Sequence, residues 1–424
     1  MIQKLYDIYL KHSEICIDTR KISEDCLFFA LKGPNFNANE FAIDALSNGA
    51  SYAVVDEEKY VLDNRYLLVE DVLETLQQLA KHHRQKLSCP VMGITGTNGK
   101  TTSKELCLQV MKEKFKTVAT VGNLNNHIGV PLSLLSIPLD AEFAIIEMGA
   151  NHLGEIKLLS EIAQPDCGVI TNVGKAHLEG FGSLEGVLQT KTELYRYLAE
   201  KKGAVFIKDN EHILMEQIPD SCPKITYGQL SKSDRKVDFK GAQPFVKVEL
   251  EGQEIQSQLI GDYNFDNIAL SIALGLEFGV SVNQIKNAIE SYVPKNNRSQ
   301  LLKTSSNSVL LDAYNANPTS VEKAIHNLIH IEHKNKVMIL GDMFELGADA
   351  DKEHVKIINL CMNSGVKQVC FVGEIFHGVN QTQYKSFETS KSLTDYLKGQ
   401  TIEDAFVLIK GSRGMKLEQI VSFL

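Results

Sequence analysis

Short apolar runs alternate with amphipathic stretches along most of the chain, the rhythm of parallel strands joined by covering helices. Residues 26–31 (Cys-Leu-Phe-Phe-Ala-Leu) and 52–55 predict short strands, and Leu73, Leu76, Leu79, Ala80 and His83 fall at helical spacing after them. Ser88-Cys89-Pro90 breaks that helix and closes a small N-terminal α/β unit. Beyond it, strands are expected at 91–95, 143–148, 168–172 and 204–208, each followed by a helix-like stretch, so the sheet should be largely parallel. Between Pro223 and Leu259 the pattern changes to strict alternation, with Val246, Val248 and Leu250 facing Ile255 and Leu259 across Glu251-Gly252; this predicts a peripheral hairpin. Helices are expected at 265–278 and 281–292, then a linker at 294–297. Strands at 309–311, 337–340, 369–372 and 406–409, again with helices between them, predict a further α/β unit. The expected domains are therefore 1–87, 88–294 and 295–424, with no internal repeats.

Length agrees with that division, since 424 residues at roughly 150 per domain make about three. A hydrophobic content of 43% is ample for separate cores. The formal charge of −9, with no concentration of Lys and Arg, argues against a nucleic-acid partner. Eight cysteines without C-x-x-C spacing read as reduced thiols. No basic-then-apolar leader and no apolar run of about 18 residues is found, so the expected setting is the cytoplasm, without membrane insertion.

Candidate chemistry concentrates in the second unit. Val-Met-Gly-Ile-Thr-Gly-Thr-Asn-Gly-Lys-Thr-Thr runs from an apolar strand through a glycine-rich turn into a helix, an order that aims backbone N–H groups and a helix N-terminus at phosphates. Lys100 would add charge and Thr101 a magnesium-binding hydroxyl. The loop is a variant of G-x-x-x-x-G-K-[ST], because Ile94 stands where the first glycine belongs. Glu147 ends an apolar strand, where ligands of parallel sheets bind, and is a candidate magnesium ligand; a solvated helix cap is the bland alternative. His177 lies in the weakly apolar loop Asn172-Val173-Gly174-Lys175-Ala176, which disfavours a packed core histidine but leaves an ordinary loop residue open. Lys191 shares a helical stripe with Leu184, Val187, Leu188, Leu194, Tyr195 and Leu198, so a functional lysine competes with a long side chain snorkelling past the core edge.

The segments Gly-Thr-Asn-Gly-Lys-Thr-Thr at 96–102, Glu147-Met148-Gly149 and 172–177, with Lys191 on the next helix, together resemble the Mur ligase family over essentially the whole chain. Asn125 to Pro131, Asp-Ala-Tyr-Asn-Ala-Asn-Pro at 312–318 and Leu-Gly-Asp-Met-Phe-Glu-Leu-Gly at 340–347 resemble the branch that joins D-alanyl-D-alanine to a UDP-N-acetylmuramoyl-tripeptide, and the Asp-Asn-Pro-Arg motif of a sister branch is absent. The resemblance implies a three-domain α/β protein: a UDP-substrate domain, a central P-loop ATPase domain with a mostly parallel sheet, and a Rossmann-like domain closing on nucleotide and dipeptide. It implies a monomer that uses ATP and two Mg2+ ions, with Lys191 carbamylated and Thr101, Glu147, His177 and Lys191 holding the metal. By the same resemblance Gly96, Thr97, Asn98, Gly99, Lys100, Thr101, Thr102, Asn264, Asn267, Arg298 and Asp312 bind nucleotide, Lys100 also serving catalysis. Thr19, Arg20, Asn35, Asn126, Asn151, His152, Tyr314, Asn315 and Asn317 would contact the other substrates. Two segments depart from the family: Gly261-Asp262-Tyr263-Asn264 replaces Gly-x-His-Asn, and Thr19-Arg20 replaces Ser-Arg. A folylpolyglutamate synthase-like ligase and a P-loop nucleotide switch remain as alternatives.

Overall fold

A computed structural model describes residues 1–424. The N-terminal unit is a four-stranded parallel sheet in the order Ile15–Cys16, Leu27–Phe29, Tyr52–Val55, Tyr66–Leu68. The helix Val72–Arg84 follows, with Asp71 accepting from Glu74 N at its start. That helix packs on Gly129–Leu135 and Glu155–Ala163, so one hydrophobic cluster runs from Leu5, Tyr6 and Leu79 into Leu134, Ile146 and Leu159. Ser88-Cys89-Pro90 thus marks a change of sheet, while the packing continues across it.

The central sheet has seven parallel strands, ordered Arg235–Lys236, Lys224–Gly228, Ala204–Lys208, Cys167–Ile170, Val91–Thr95, Phe143–Glu147, Thr117–Ala119. Val91–Thr95 is buried at every position, as expected of a strand covered on both faces. Its neighbours end at Ile170 and Glu147, so the loops carrying the glycine turn, Glu147 and His177 leave adjacent carboxyl edges and meet in one crevice.

The expected hairpin at 223–259 needs correction. Lys224–Gly228 and Arg235–Lys236 extend the parallel sheet, and the alternating zone is a three-stranded antiparallel sheet of Asp238–Ala242, Phe245–Leu250 and Gln253–Ile260. Glu251 and Gly252, at φ 50° and 80°, make the tight turn between the last two. Nor is the sheet peripheral: Val246, Val248, Leu250, Ile255 and Leu259 share a buried cluster with Ile268 and Leu274 of the helix Phe265–Glu277. The next helix, Val282–Ser291, starts at a reciprocal cap between Ser281 and Gln284.

Asn296 and Asn297, both at positive φ, turn the chain into the third unit. Its six strands are ordered Gln300–Lys303, Asn307–Asp312, Ala405–Lys410, Lys336–Gly341, Gln368–Val372, Lys385–Phe387, and only the first pair is antiparallel. Separate apolar clusters pack its two faces. All eight cysteines are free thiols, and no helix is long and apolar enough to cross a membrane.

Candidate active site

The glycine turn does what its sequence order predicts. The chain leaves Thr95, passes Gly96 and Gly99 at φ 140° and 81°, and enters the helix Lys100–Lys112. A side chain at either glycine would collide: a Cβ at 96 would lie 2.0 Å from Thr171 Oγ1, and one at 99 would lie 2.6 Å from Asn267 Oδ1. The loop is braced from behind, with Asn98 N donating to Asn172 Oδ1 at 3.0 Å while Asn98 O accepts from Thr171 Oγ1 at 2.7 Å and Asn172 Nδ2 at 2.9 Å. Lys100 Nζ donates to Gly96 O at 2.7 Å, and burial lowers its pKa against the opposing pull of Glu147.

One helical residue on, Thr101 Oγ1 donates to both oxygens of Glu147, at 3.1 and 2.9 Å. Glu147 is 1% exposed, and a buried carboxylate needs donors. Asn125 Nδ2 supplies one at 2.8 Å, and the ammonium of Lys104 stands 3.9 Å away, itself fully buried and donating to Thr120 O at 2.6 Å. The bland reading of Glu147 as a solvated cap is therefore wrong. A hydroxyl and a carboxylate at the start of a phosphate-facing helix are the hard oxygen donors Mg2+ prefers. No three His, Cys, Asp or Glu side chains converge here or elsewhere, so an ion at this site would take one carboxylate from the protein.

His177 lines the same crevice and sits at φ 50° with Nδ1 against the carboxylate of Glu345 from the third domain. Burial lowers its pKa, Glu345 opposes, and Lys100 and Lys191 push it further down. Lys191 is the last residue of the helix Leu184–Lys191, which Thr192 separates from Glu193–Lys201, so the expected single stripe is split. Snorkelling fails as an explanation: Lys191 is 2% exposed, with its nitrogen 5.5 Å from the ring centroid of Phe181. Burial first, and Lys100 second, hold its pKa well below that of an ordinary lysine.

The crevice is a cavity of about 450 Å3. Thr97, Asn98, Gly99, Lys100, Thr101, Thr102, Glu147, His177, Asn264, Asn267, Arg298, Asp312, Tyr314, Asn315 and Asn317 all line it, as do Asn126 and Asn151. Ser103 Oγ, Asn267 and Asn264 form a chain of hydrogen bonds behind the loop, at 2.9 and 2.8 Å. Across the domain boundary, Asn317 Nδ2 donates to Asn98 Oδ1 at 2.8 Å. The Arg298 guanidinium stacks 3.6 Å from the Tyr314 ring centroid, and Asp312 accepts from Lys410 Nζ at 2.6 Å. Lys410 and Ser412 are buried, while Arg413 is exposed. His152 lies beside Glu155, whose carboxylate accepts from Asn151 N at 2.6 Å, but does not line the cavity. Thr19, Arg20 and Asn35 stand on the N-terminal unit away from the cavity walls, Arg20 paired with Asp18 at 2.8 Å. Sequence reasoning singled out neither Lys104, whose charge inside a helix was a signal, nor Asn125 and Glu345, which lay unassigned inside quoted motifs.

Comparison with known proteins agrees with this geometry. The family described as Mur ligase middle domain matches residues 94–275, and that described as Mur ligase, glutamate ligase domain matches 297–413. A UDP-N-acetylmuramoyl-tripeptide–D-alanyl-D-alanine ligase of Bacillus subtilis is 34% identical over 97% of this chain and 92% of its own length. The chain belongs to the Mur ligase family. Among solved Mur ligases, MurF from Acinetobacter baumannii superposes with a TM-score of 0.86 at 27% identity, over 96% of this chain and 92% of that one. MurF from Thermotoga maritima, solved with ADP, gives 0.85 at 26% identity, over 98% and 97%.

Proposed function

We propose that this Mur ligase joins D-alanyl-D-alanine to a UDP-N-acetylmuramoyl-tripeptide with ATP, through an acyl phosphate, releasing ADP and phosphate in the synthesis of a peptidoglycan precursor. The observation that carries the reading is the buried Thr101–Glu147 pair at the head of the phosphate-loop helix, opening into a cavity walled by both the central and the third domain. Full-length likeness to ligases of that name supports it.

Residues 1–87 would bind the UDP end through Thr19, Arg20 and Asn35, residues 88–294 the ATP, and residues 295–424 would close on nucleotide and dipeptide. The loop amides of 96–102 and Lys100 hold the polyphosphate, Asn264 and Asn267 flank it, and Arg298 and Asp312 reach the nucleotide from the linker and the third domain. Asn126, Asn151, Tyr314, Asn315 and Asn317, which line the cavity, would orient the tripeptide carboxylate and the dipeptide amine, with His152 outside its wall beside Glu155. Bound magnesium supplies charge neutralisation between the polyphosphate and the carboxylate. Thr101 and Glu147 would hold one ion. His177 and Lys191 would hold a second once carbon dioxide has converted the lysine to a carbamate, a reaction that needs the neutral amine favoured by burial. The carboxylate oxygen then attacks the γ-phosphorus, ADP departs, and the dipeptide amine displaces phosphate from the acyl carbon. Contacts such as Asn317 to Asn98 bring the third domain over the loop, excluding water that would hydrolyse the intermediate. We infer a monomer working in the cytoplasm.

The test mixes purified protein with ATP, Mg2+, UDP-N-acetylmuramoyl-tripeptide and D-alanyl-D-alanine and follows the pentapeptide product by mass. Ligation of glutamate to a folate instead would support the folylpolyglutamate reading, and phosphate release without any amide product a nucleotide switch.

A further inference from the structure

His177 and Glu345 meet across the boundary between the central and third domains, and each pays for the meeting in its backbone. Both are non-glycine residues at positive φ, 50° for His177 and 63° for Glu345. Such a conformation persists only where surrounding structure imposes it, and it concentrates at functional sites. The surroundings on the Glu345 side are explicit: Met343 N donates to His354 Nε2 at 3.0 Å, and Phe344 N to Ser412 Oγ at 3.0 Å. Those two bonds pin the backbone immediately before Glu345. On the far side Gly347, at φ 55°, would place a Cβ 3.6 Å from Glu179 Cα, and Glu179 N donates to Glu345 O at 3.4 Å. Lys175, two residues before His177, pairs with Glu353 of the third domain at 2.9 Å. Strained and braced on both sides, the contact is a built one.

We propose that Glu345 is a positioning residue for His177, supplied by the third domain. Its carboxylate against Nδ1 keeps the proton of the neutral ring on that atom, and Nε2 retains its lone pair for the cavity chemistry. Because the carboxylate comes from the other domain, the ring acquires this tautomer when the domains close. The inference rests on the ligase reading for its consequence in turnover, but not for its geometry.

The experiment therefore has two readouts. Long-range 1H–15N spectra of histidine-labelled protein report the tautomer without substrates, and the His177 signal is assigned by its disappearance in His177→Asn. The wild type and Glu345→Gln, whose amide oxygen can accept from Nδ1–H, should show the Nδ1-protonated form, and Glu345→Ala should lose it. In the ligation assay Glu345→Ala should lower kcat by roughly 10- to 100-fold, the usual cost of removing such a partner, with KM for ATP little changed and with recovery in Glu345→Gln. Glu345 is 53% exposed along its side chain, so the variants should keep the wild-type melting temperature. An Nε2-protonated ring in the wild type, an unchanged tautomer in Glu345→Ala, or a kcat for Glu345→Ala within about twofold of wild type would overturn the proposal. A wild type that makes no pentapeptide would instead overturn the ligase reading and leave the tautomer measurement to decide the role of Glu345.

Discussion

Replacing Glu147 with glutamine removes a charge while keeping the side chain's shape. The amide oxygen of Glu147→Gln can still accept from Thr101, now at one position in place of the two oxygens that lie 2.9 and 3.1 Å from the hydroxyl. Lys104, 3.9 Å from the lost charge, keeps Glu105 at 3.1 Å, so the substitution does not strand a buried ammonium. What disappears is the carboxylate's attraction for a cation on the polyphosphate. At an effective dielectric of about 20, unit charges about 4 Å apart interact by roughly 4 kcal/mol, and at about 1.4 kcal/mol per decade that is a loss near 1,000-fold in rate. The assay is pentapeptide formation over a range of substrate concentrations, repeated across a magnesium titration, with thermal melting to confirm the fold. We expect kcat/KM to fall by about 100- to 1,000-fold, with higher magnesium recovering only part of it. A variant that melts like the wild type and retains kcat/KM within about fivefold would refute the electrostatic argument and leave Glu147 as a brace for Thr101 and Asn125.

Arg84 ties the N-terminal helix to the central domain through Ala163 O, Gln164 O and Asp166, at 3.1, 2.9 and 2.8 Å; Arg84→Ala should cost about 2–3 kcal/mol in denaturant unfolding, a loss under about 0.5 kcal/mol contradicting that account. Asn317→Ala removes the 2.8 Å contact to Asn98, a bond of about 1 kcal/mol, and should raise the KM for ATP roughly threefold to tenfold; because Asn317 also caps the helix Pro318–His330 by accepting from Ser320 N at 2.9 Å, the unfolding midpoint should fall as well, and an unchanged KM would show that the contact to Asn98 does not help close the domains. His83 is buried between Tyr6 OH at 3.1 Å and Ile137 O at 2.7 Å, and burial lowers its pKa from 6.5. The unfolded chain therefore takes up this proton first as pH falls, so stability is fully present above about 6.5 and declines below it. His83→Gln should show a shallower fall in melting temperature between about pH 6.5 and 5 than the wild type, and parallel curves would mean that other groups carry the dependence.

The expected strands and helices were legible because the central strands are continuous apolar runs and their helices carry clear stripes and caps, Ser281 with Gln284 being one. The phosphate loop was legible for a different reason, since glycines forced to positive φ and the Lys-Thr pair are both local features. What failed was non-local. Lys224–Gly228 looked like part of the alternating zone because its place in the parallel sheet is decided by its neighbours Ala204–Lys208 and Arg235–Lys236, which its own sequence does not report. Lys191 exposed the limit of periodicity in the other direction: the stripe located an anomalous lysine, yet only packing could show that its ammonium is buried over Phe181. Lys104 was visible as a charge inside a helix, but its role was not, because its partners Glu147 and Thr120 come from the neighbouring strand Phe143–Glu147 and the residue after Thr117–Ala119. The same holds for Glu345, which acquires meaning only when a domain beginning more than a hundred residues after His177 folds back upon it. Residues whose roles depend on a second domain leave no periodic trace in their own stretch of sequence.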